Sequence, residues 1–494
     1  MKKGVWLYIF PILIAPLSYF NRIIISNNLS VSDVGIFYSI IGLFTILSMY
    51  NDLGFSEALN FFIPKFLVEK QYDKVKTTIY STFILQFLTS ALVSTALYFG
   101  ADFLAIHYFH AAEAVNIIKI FIIYFICLNF FQSLQFIFIV FQDTLRNKFI
   151  DYIQALLIFI LILIIWRWWF DNQIMYYSFA WCLGIFGATS IGFLVFFKKY
   201  LHVINLGKFI FIKKDYFKIQ KFAIWSLVWM NLSFLLLNLD QQLTIYLLWP
   251  EKAWYYANST LFFNILNVFI WPFMWFMYPL AAELIAKNQH DKINFLINFL
   301  QKYYWAFSIF TSFFFFVFAE ILIKIFLGDK FLISGDILRR SILFLYFNII
   351  LNLYQNFLSG MWKVKERVNV MIWWLIFNLI SILILSKIFD IYGIALANWL
   401  TNLFIFALFL YYFTKLNIKI YIDKKFLIKN IVYCLLFWIF SRFFLLDKLS
   451  TVSSRLILLL YFCIIWIIYC IWMWIINLQE LRLFFYEIQK MRKK

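Results

Sequence analysis

A small set of ionisable side chains falls within or near the long apolar runs of this sequence: Arg22, Asp52, Glu57, Lys119, Asp240, Glu283, Glu320, Lys324, Arg339, Arg340 and Arg442. An ionised group in the middle of a bilayer costs at least about 2.5 to 3.5 kcal/mol, so each of these must meet a partner, a wet cavity or the headgroups. Arg22 carries a planar fork of N–H donors suited to phosphate oxygens. Asp240 offers a carboxylate that can take up a cation or pair with Arg22. The competing reading is a structural ion pair, or an Arg22 that snorkels outward. Asp52, within Asn51-Asp52-Leu53-Gly54, interrupts an apolar run and either lines a cavity or bonds a neighbouring helix. Lys119 stands near the end of its run, where headgroup contact competes with ligand contact. These four, Arg22, Asp52, Lys119 and Asp240, are the candidate substrate-binding residues.

Other groups are expected to satisfy one another. Glu320 and Lys324 stand four apart, which puts opposite charges on one helix face. Arg339 and Arg340 open a span where headgroup phosphates would meet them. His107, His110, His202 and His290 fall in loops or at interfaces, with no carboxylates at metal-ligand spacing, so no metal site is expected. The sequence has no G-x-x-x-x-G-K-[ST] loop, no G-x-S-x-G and no H-E-x-x-H, which removes nucleotide hydrolysis and nucleophilic catalysis from consideration. Cys127, Cys182, Cys434, Cys463 and Cys470 are scattered through apolar stretches without C-x-x-C spacing, so they read as small hydrophobes rather than as a disulfide framework.

The elements that must position these residues follow from composition. The chain is 65% hydrophobic and only 14% charged, whereas a soluble domain carries roughly 25% charged residues. Runs long enough to cross about 30 Å of hydrocarbon recur along it. Fourteen spans are expected, near 5–27, 33–62, 77–99, 115–141, 149–169, 175–197, 222–248, 254–283, 303–327, 337–361, 368–387, 392–414, 430–446 and 455–477. Only helices can satisfy their own backbone there, so the fold class is all-α, a polytopic integral membrane protein. Met1-Lys2-Lys3 and the apolar run behind it imitate a signal peptide but lack a small-residue cleavage site, so the run is expected to stay as the first span. Most of the 43 Lys and Arg fall in alternate connections, which predicts that both termini are cytoplasmic. The net charge of +19 is thereby explained by headgroup contact, and no nucleic-acid module is visible. The basic segments 198–221 and 415–430 are expected to lie on the headgroups.

A single gapless offset lays Arg22 on Asp240, Ser26 on Thr244, Leu29 on Leu247, Asp33 on Glu251, Gly35 on Ala253, Phe37 on Tyr255 and Tyr38 on Tyr256. In the same register Gln71-Tyr72-Asp73-Lys74-Val75 falls on Gln289-His290-Asp291-Lys292-Ile293. Helix ends and both turns coincide, which indicates two parallel six-helix repeats. The expected organisation is an N-terminal bundle over 1–221, a C-terminal bundle over 222–429, and an accessory helix pair with a basic tail over 430–494.

The stretch Arg22-Ile23-Ile24-Ile25-Ser26, with Leu29-Ser30, Ser32-Asp33-Val34-Gly35-Ile36-Phe37-Tyr38, Asp52-Leu53-Gly54-Phe55 and Ile63-Pro64-Lys65, resembles the opening of polysaccharide-biosynthesis flippases of the multidrug/oligosaccharidyl-lipid/polysaccharide exporter superfamily. Tyr255-Tyr256-Ala257-Asn258 is similar to the start of that family's second half, and Tyr392-Gly393-Ile394-Ala395-Leu396-Ala397 resembles its twelfth-helix entry. The resemblance implies a non-enzymatic transporter in a prokaryotic plasma (inner) membrane. It would carry an undecaprenyl-pyrophosphate-linked glycan, such as an O-antigen, capsule or exopolysaccharide repeat unit, outward by alternating access. It further implies that Arg22 meets the pyrophosphate. Asp240 departs from that pattern, standing where a second cation would be expected. No cofactor is implied beyond a coupling ion, H+ or Na+. The partners are the lipid-linked glycan, membrane lipids and other polysaccharide-assembly membrane proteins. The alternatives are a polysaccharide polymerase or ligase, which would need a substantial external loop that the chain lacks, and a small-molecule cation-coupled exporter, whose relatives lack the last two spans.

Overall fold

A computed structural model describes residues 2–168, 173–210, 213–261, 289–342, 345–360, 364–416, 418–443 and 455–476. Among them no strand occurs, and the expected all-α class is what is found. Nine of the described helices are long and apolar enough to cross a membrane. Glu283, most of the expected span 254–283 and the basic tail lie outside the described residues.

The helices are α1 (Lys2–Asn28), α2 (Val31–Asn51), α3 (Phe55–Val68), α4 (Tyr72–Phe99), α5 (Ala101–His107), α6 (Ala114–Val140), α7 (Thr144–Trp168), α8 (Gln173–Lys199), α9 (Leu201–Ile204) and α10 (Lys213–Leu248). Then come α11, described over 250–261, α12 (His290–Phe326), α13 (Leu332–Ser341), α14 (Leu345–Gly360), α15 (Val364–Phe389), α16 (Ile391–Lys415), α17 (Lys424–Ser441) and α18 (Arg455–Ile476). Both α10 and α12 begin well before the apolar runs expected at 222 and 303. Hydropathy marks the hydrocarbon slab, whereas a hydrogen-bonded helix continues through charged residues that water and headgroups solvate.

The expected span 33–62 is two helices. Asp52 ends α2, Leu53 and Gly54 take positive φ of 50° and 78°, and α3 starts at Phe55. Asp52 holds this break with both carboxylate oxygens, accepting from the backbone N–H groups of Gly54 (2.9 Å) and Ser56 (3.0 Å). The start of α2 is capped reciprocally: the Ser30 hydroxyl accepts from the Asp33 N–H and donates to its carboxylate.

The contacts divide the chain into two compact units, residues 1–257 with 371–397, and 258–370 with 398–494. In the first, α4 turns one face inward at every fourth residue: Thr78, Thr82, Gln86, Ser90 and Ser94 are all buried. Gln86 donates to Asn129 (3.0 Å), Asn51 to Ser90 (2.9 Å) and Gln132 to Ser48 (3.2 Å), which ties α2, α4 and α6 together. Such polar glue joins helices that lipid gives no hydrophobic reason to associate.

The second unit is organised on α12. An aromatic cluster of Phe310, Phe314, Phe437, Phe462, Trp466 and Tyr469 binds α17 and α18 to it, with Phe310 and Tyr469 stacked at 4.2 Å. The Tyr469 hydroxyl donates to the Phe310 carbonyl (3.0 Å).

One fastening recurs in both units. The Thr77 hydroxyl on α4 donates to the Ile210 carbonyl and accepts from its N–H, both at 3.1 Å. On α12, the Asn298 amide donates to the Lys419 carbonyl (2.7 Å) and accepts from the Tyr421 N–H. In each unit a long helix is thus clasped by the backbone of a basic segment that follows much later in the chain.

Candidate functional site

Arg22 lies on α1 and is half-buried. It sits 4.4 Å from the ring of Trp254 and 5.5 Å from that of Tyr38, which stack on each other at 4.5 Å and 14°. Trp181 closes the group edge-on to Tyr38 at 6.1 Å. Ring faces carry partial negative charge, so this wall stabilises the cation.

The wall is positioned by backbone. Trp249 takes φ 80° and Pro250 opens α11, a place where its missing N–H costs nothing. Gly35 on α2 faces the Pro250 carbonyl so closely that a Cβ would lie 2.1 Å from the oxygen. Only glycine lets α2 approach this turn, and the approach brings Tyr38 onto Trp254.

Asp240, on α10, is held by two donors: the Tyr256 hydroxyl (3.0 Å) and the Asn378 side-chain amide (3.0 Å). Tyr256 stands sixteen residues after Asp240, and Tyr38 stands at the same interval after Arg22. Residues laid on each other by the single offset therefore make corresponding contacts, with the sign of the charge reversed. Arg22 and Asp240 converge on one stretch of chain, the first on Trp254 and the second on Tyr256. A carboxylate with a neutral amide and a phenol beside it is chemically fit to take up a proton or a hard cation through oxygen.

The other two candidates are engaged elsewhere. Asp52 shapes the α2–α3 break, as described, and Lys119 rests its ammonium 5.3 Å from the exposed Tyr98 ring. Glu320 pairs with Arg339 (3.0 Å) rather than with Lys324, whose partner is Asp329 (3.9 Å). Arg340 pairs with Asp336 (3.1 Å). The expectation of an i,i+4 pair is overridden because α13 folds back along α12 and supplies its own charges.

Beyond the expected spans, Asp143 gathers Arg146 (2.6 Å), Lys199 and Tyr200 at the turn between α6 and α7. Burial would raise its carboxyl, but the hydrogen bonds from Lys199, Tyr200 and Arg146 hold it at about 2. No group of His, Cys, Asp and Glu able to hold a metal occurs among the described residues. Reading the sequence singled out none of Trp254, Trp181 or Asn378, since nothing about a tryptophan or an asparagine in an apolar run marks it. Tyr38 and Tyr256 were visible as repeat partners, a signal that a search for repeated aromatic-to-charge spacing would have sharpened.

Comparison with known proteins adds the following. A family model described as polysaccharide biosynthesis protein matches residues 1–285. An uncharacterized membrane protein of Methanocaldococcus jannaschii is 23% identical over 446 residues, covering 87% of each chain. Among solved structures, the lipid II flippase MurJ in an inward closed conformation superposes with a TM-score of 0.69 at 14% identity, over 97% of this chain and 99% of that one. An inward-facing multidrug resistance MATE family transporter of the MOP superfamily gives 0.65 at 14% identity, over 81% and 94%. At such identities these two likenesses establish a shared polytopic fold.

Proposed function

The chain belongs to the polysaccharide biosynthesis protein family, and from that premise we propose that it is a flippase for an undecaprenyl-pyrophosphate-linked oligosaccharide repeat unit. The observation that carries the proposal is Arg22, a cation inside a membrane-spanning helix whose charge is stabilised by ring faces. Its N–H edge suits phosphate oxygens. In this reading both termini are cytoplasmic, and the repeats alternate between exposing the headgroup site to the cytoplasm and to the outside. The polar headgroup passes through the protein while the prenyl tail stays in lipid.

Asp240, with Tyr256 and Asn378, takes the coupling ion in this scheme, H+ or Na+. One elementary charge moving down 100 mV supplies about 2.3 kcal/mol, enough to bias a two-state equilibrium. Asp52 and Lys119 are proposed to contribute indirectly, the first through the shape of the α2–α3 break and the second near the headgroups. The test is the fate of the intermediate in cells that lack this chain. Complete repeat units on lipid should accumulate in the cytoplasmic leaflet. Accumulation in the outer leaflet would instead indicate a polymerase.

A further inference from the structure

The loop after α5 and the last turns of α10 are joined by contacts that the headgroup site does not use. The Tyr108 hydroxyl donates to the Gln242 side-chain oxygen (2.8 Å), and the Tyr108 ring stacks on Tyr246 at 5.7 Å. His110 Nε2 donates to the Tyr246 carbonyl (2.9 Å), and its ring lies 4.7 Å from Trp249. Gln242 in turn donates to the carbonyl of the fully buried Ser39 (3.2 Å). It fits there because Gly42 has no Cβ; one built at that position would lie 2.6 Å from the Gln242 amide nitrogen. Just beyond, Lys252 pairs with Asp390, at the turn between α15 and α16.

The two segments that meet are both held in unusual backbone. His110 has φ 54° and Trp249 has φ 80°, in a region that L side chains rarely adopt. Such conformations persist where surrounding contacts impose them, and they concentrate at places that switch. Tyr246 and Trp249 remain about half exposed, so the junction lies at an edge of the fold and not in its core. The repeat makes α10 the first helix of the second half, whereas the Tyr108–His110 loop belongs to the first.

We propose that Tyr108 and His110, closing on Gln242, Tyr246 and Trp249, form a latch that shuts the outer end of the pathway over Ser39 and must part for release. This rests on the alternating-access reading above, and it names the contacts that have to break. Because Trp249 lies five residues before Trp254, the latch and the Arg22 wall are two ends of one short stretch. Removal of Arg22 from Trp254 by an anionic headgroup therefore loosens the turn that the latch holds.

The test needs no substrate. In a chain whose five cysteines are replaced by alanine, Ser39→Cys is exposed to a membrane-impermeant maleimide, in right-side-out and in inverted membrane vesicles. With the latch intact, labelling is slow. Gly42→Ala displaces the flexible end of Gln242 and changes no latch residue's identity, while Tyr108→Phe removes one hydroxyl and keeps the ring. Together they should speed labelling about tenfold in right-side-out vesicles, the equivalent of about 1.4 kcal/mol of closure. Equal rates with and without the two changes, in both preparations, overturn the latch. A rise confined to inverted vesicles supports the latch and overturns the assignment of this end to the outside. A latch that opens and closes in a chain whose deletion leaves lipid-linked intermediates unchanged would refute the flippase reading alone.

Discussion

Replacing Arg22 tests the site most directly. The guanidinium packs on Trp254 and Tyr38, and the proposed function gives it a second, separable contribution to an anionic headgroup. A cation on an aromatic face is worth about 0.5 to 2 kcal/mol, so Arg22→Ala should lower thermal stability only modestly. The ligand contribution is larger. A hydrogen bond to a charged group contributes about 1.5 to 3 kcal/mol, and a fork can make two in parallel. Arg22→Lys keeps the charge and loses one of the two, which predicts affinity weakened about 10- to 150-fold. Arg22→Ala loses both and should weaken binding by more than about 100-fold. Purified protein in lipid nanodiscs, titrated with a short-chain prenyl pyrophosphate carrying one sugar, gives the dissociation constant, and thermal unfolding of the same samples gives stability. Undiminished affinity in folded Arg22→Ala protein would refute the assignment of Arg22 to the pyrophosphate.

Asp240→Asn should abolish any thermal stabilisation by Na+ and any pH dependence of export, and a sodium titration of melting temperature that leaves variant and parent alike would remove it from coupling. The carboxyl of Asp143 lies at about 2, below the ordinary value of about 3.9, so it stabilises the folded chain by about 3 kcal/mol at neutral pH. That contribution is complete above about pH 5 and is lost as pH falls through about 2, with about half gone near pH 3. The melting difference between parent and Asp143→Asn should therefore shrink between pH 7 and pH 3, and a constant difference would show that the carboxylate's charge is irrelevant. Gly35→Ala would place a Cβ 2.1 Å from the Pro250 carbonyl oxygen. Overpacking against backbone costs about 1 to 3 kcal/mol, which should appear as a lowered melting temperature together with weakened headgroup binding, and an unchanged melting temperature would mean the two backbones separate freely.

The break at Asp52 shows how far local reading reaches. Asn51-Asp52-Leu53-Gly54 announces polarity inside an apolar run, and the sequence allows either a cavity lining or a hydrogen bond. The structure adds that the carboxylate accepts from the backbone N–H groups of Gly54 and Ser56, a local contact that holds the break. Glu320 teaches the converse. A spacing of four predicted Lys324 as its partner, yet Arg339 reaches it from a helix that hydropathy had merged with the next span.

By itself the sequence determined the solvent and the helical class. Each of these is a property of contiguous segments: a run of apolar residues must leave water and must satisfy its own backbone, whatever its neighbours are. Tertiary structure alone decided what the buried charges touch. Asp240 and Asn378 are 138 residues apart in the chain, and Arg22 and Trp254 are farther apart still. In lipid the helices are equally apolar on most faces, so the choice of which face meets which neighbour comes from close approach at glycines such as Gly35 and from scattered polar pairs. Those depend on three-dimensional fit, which no local pattern encodes.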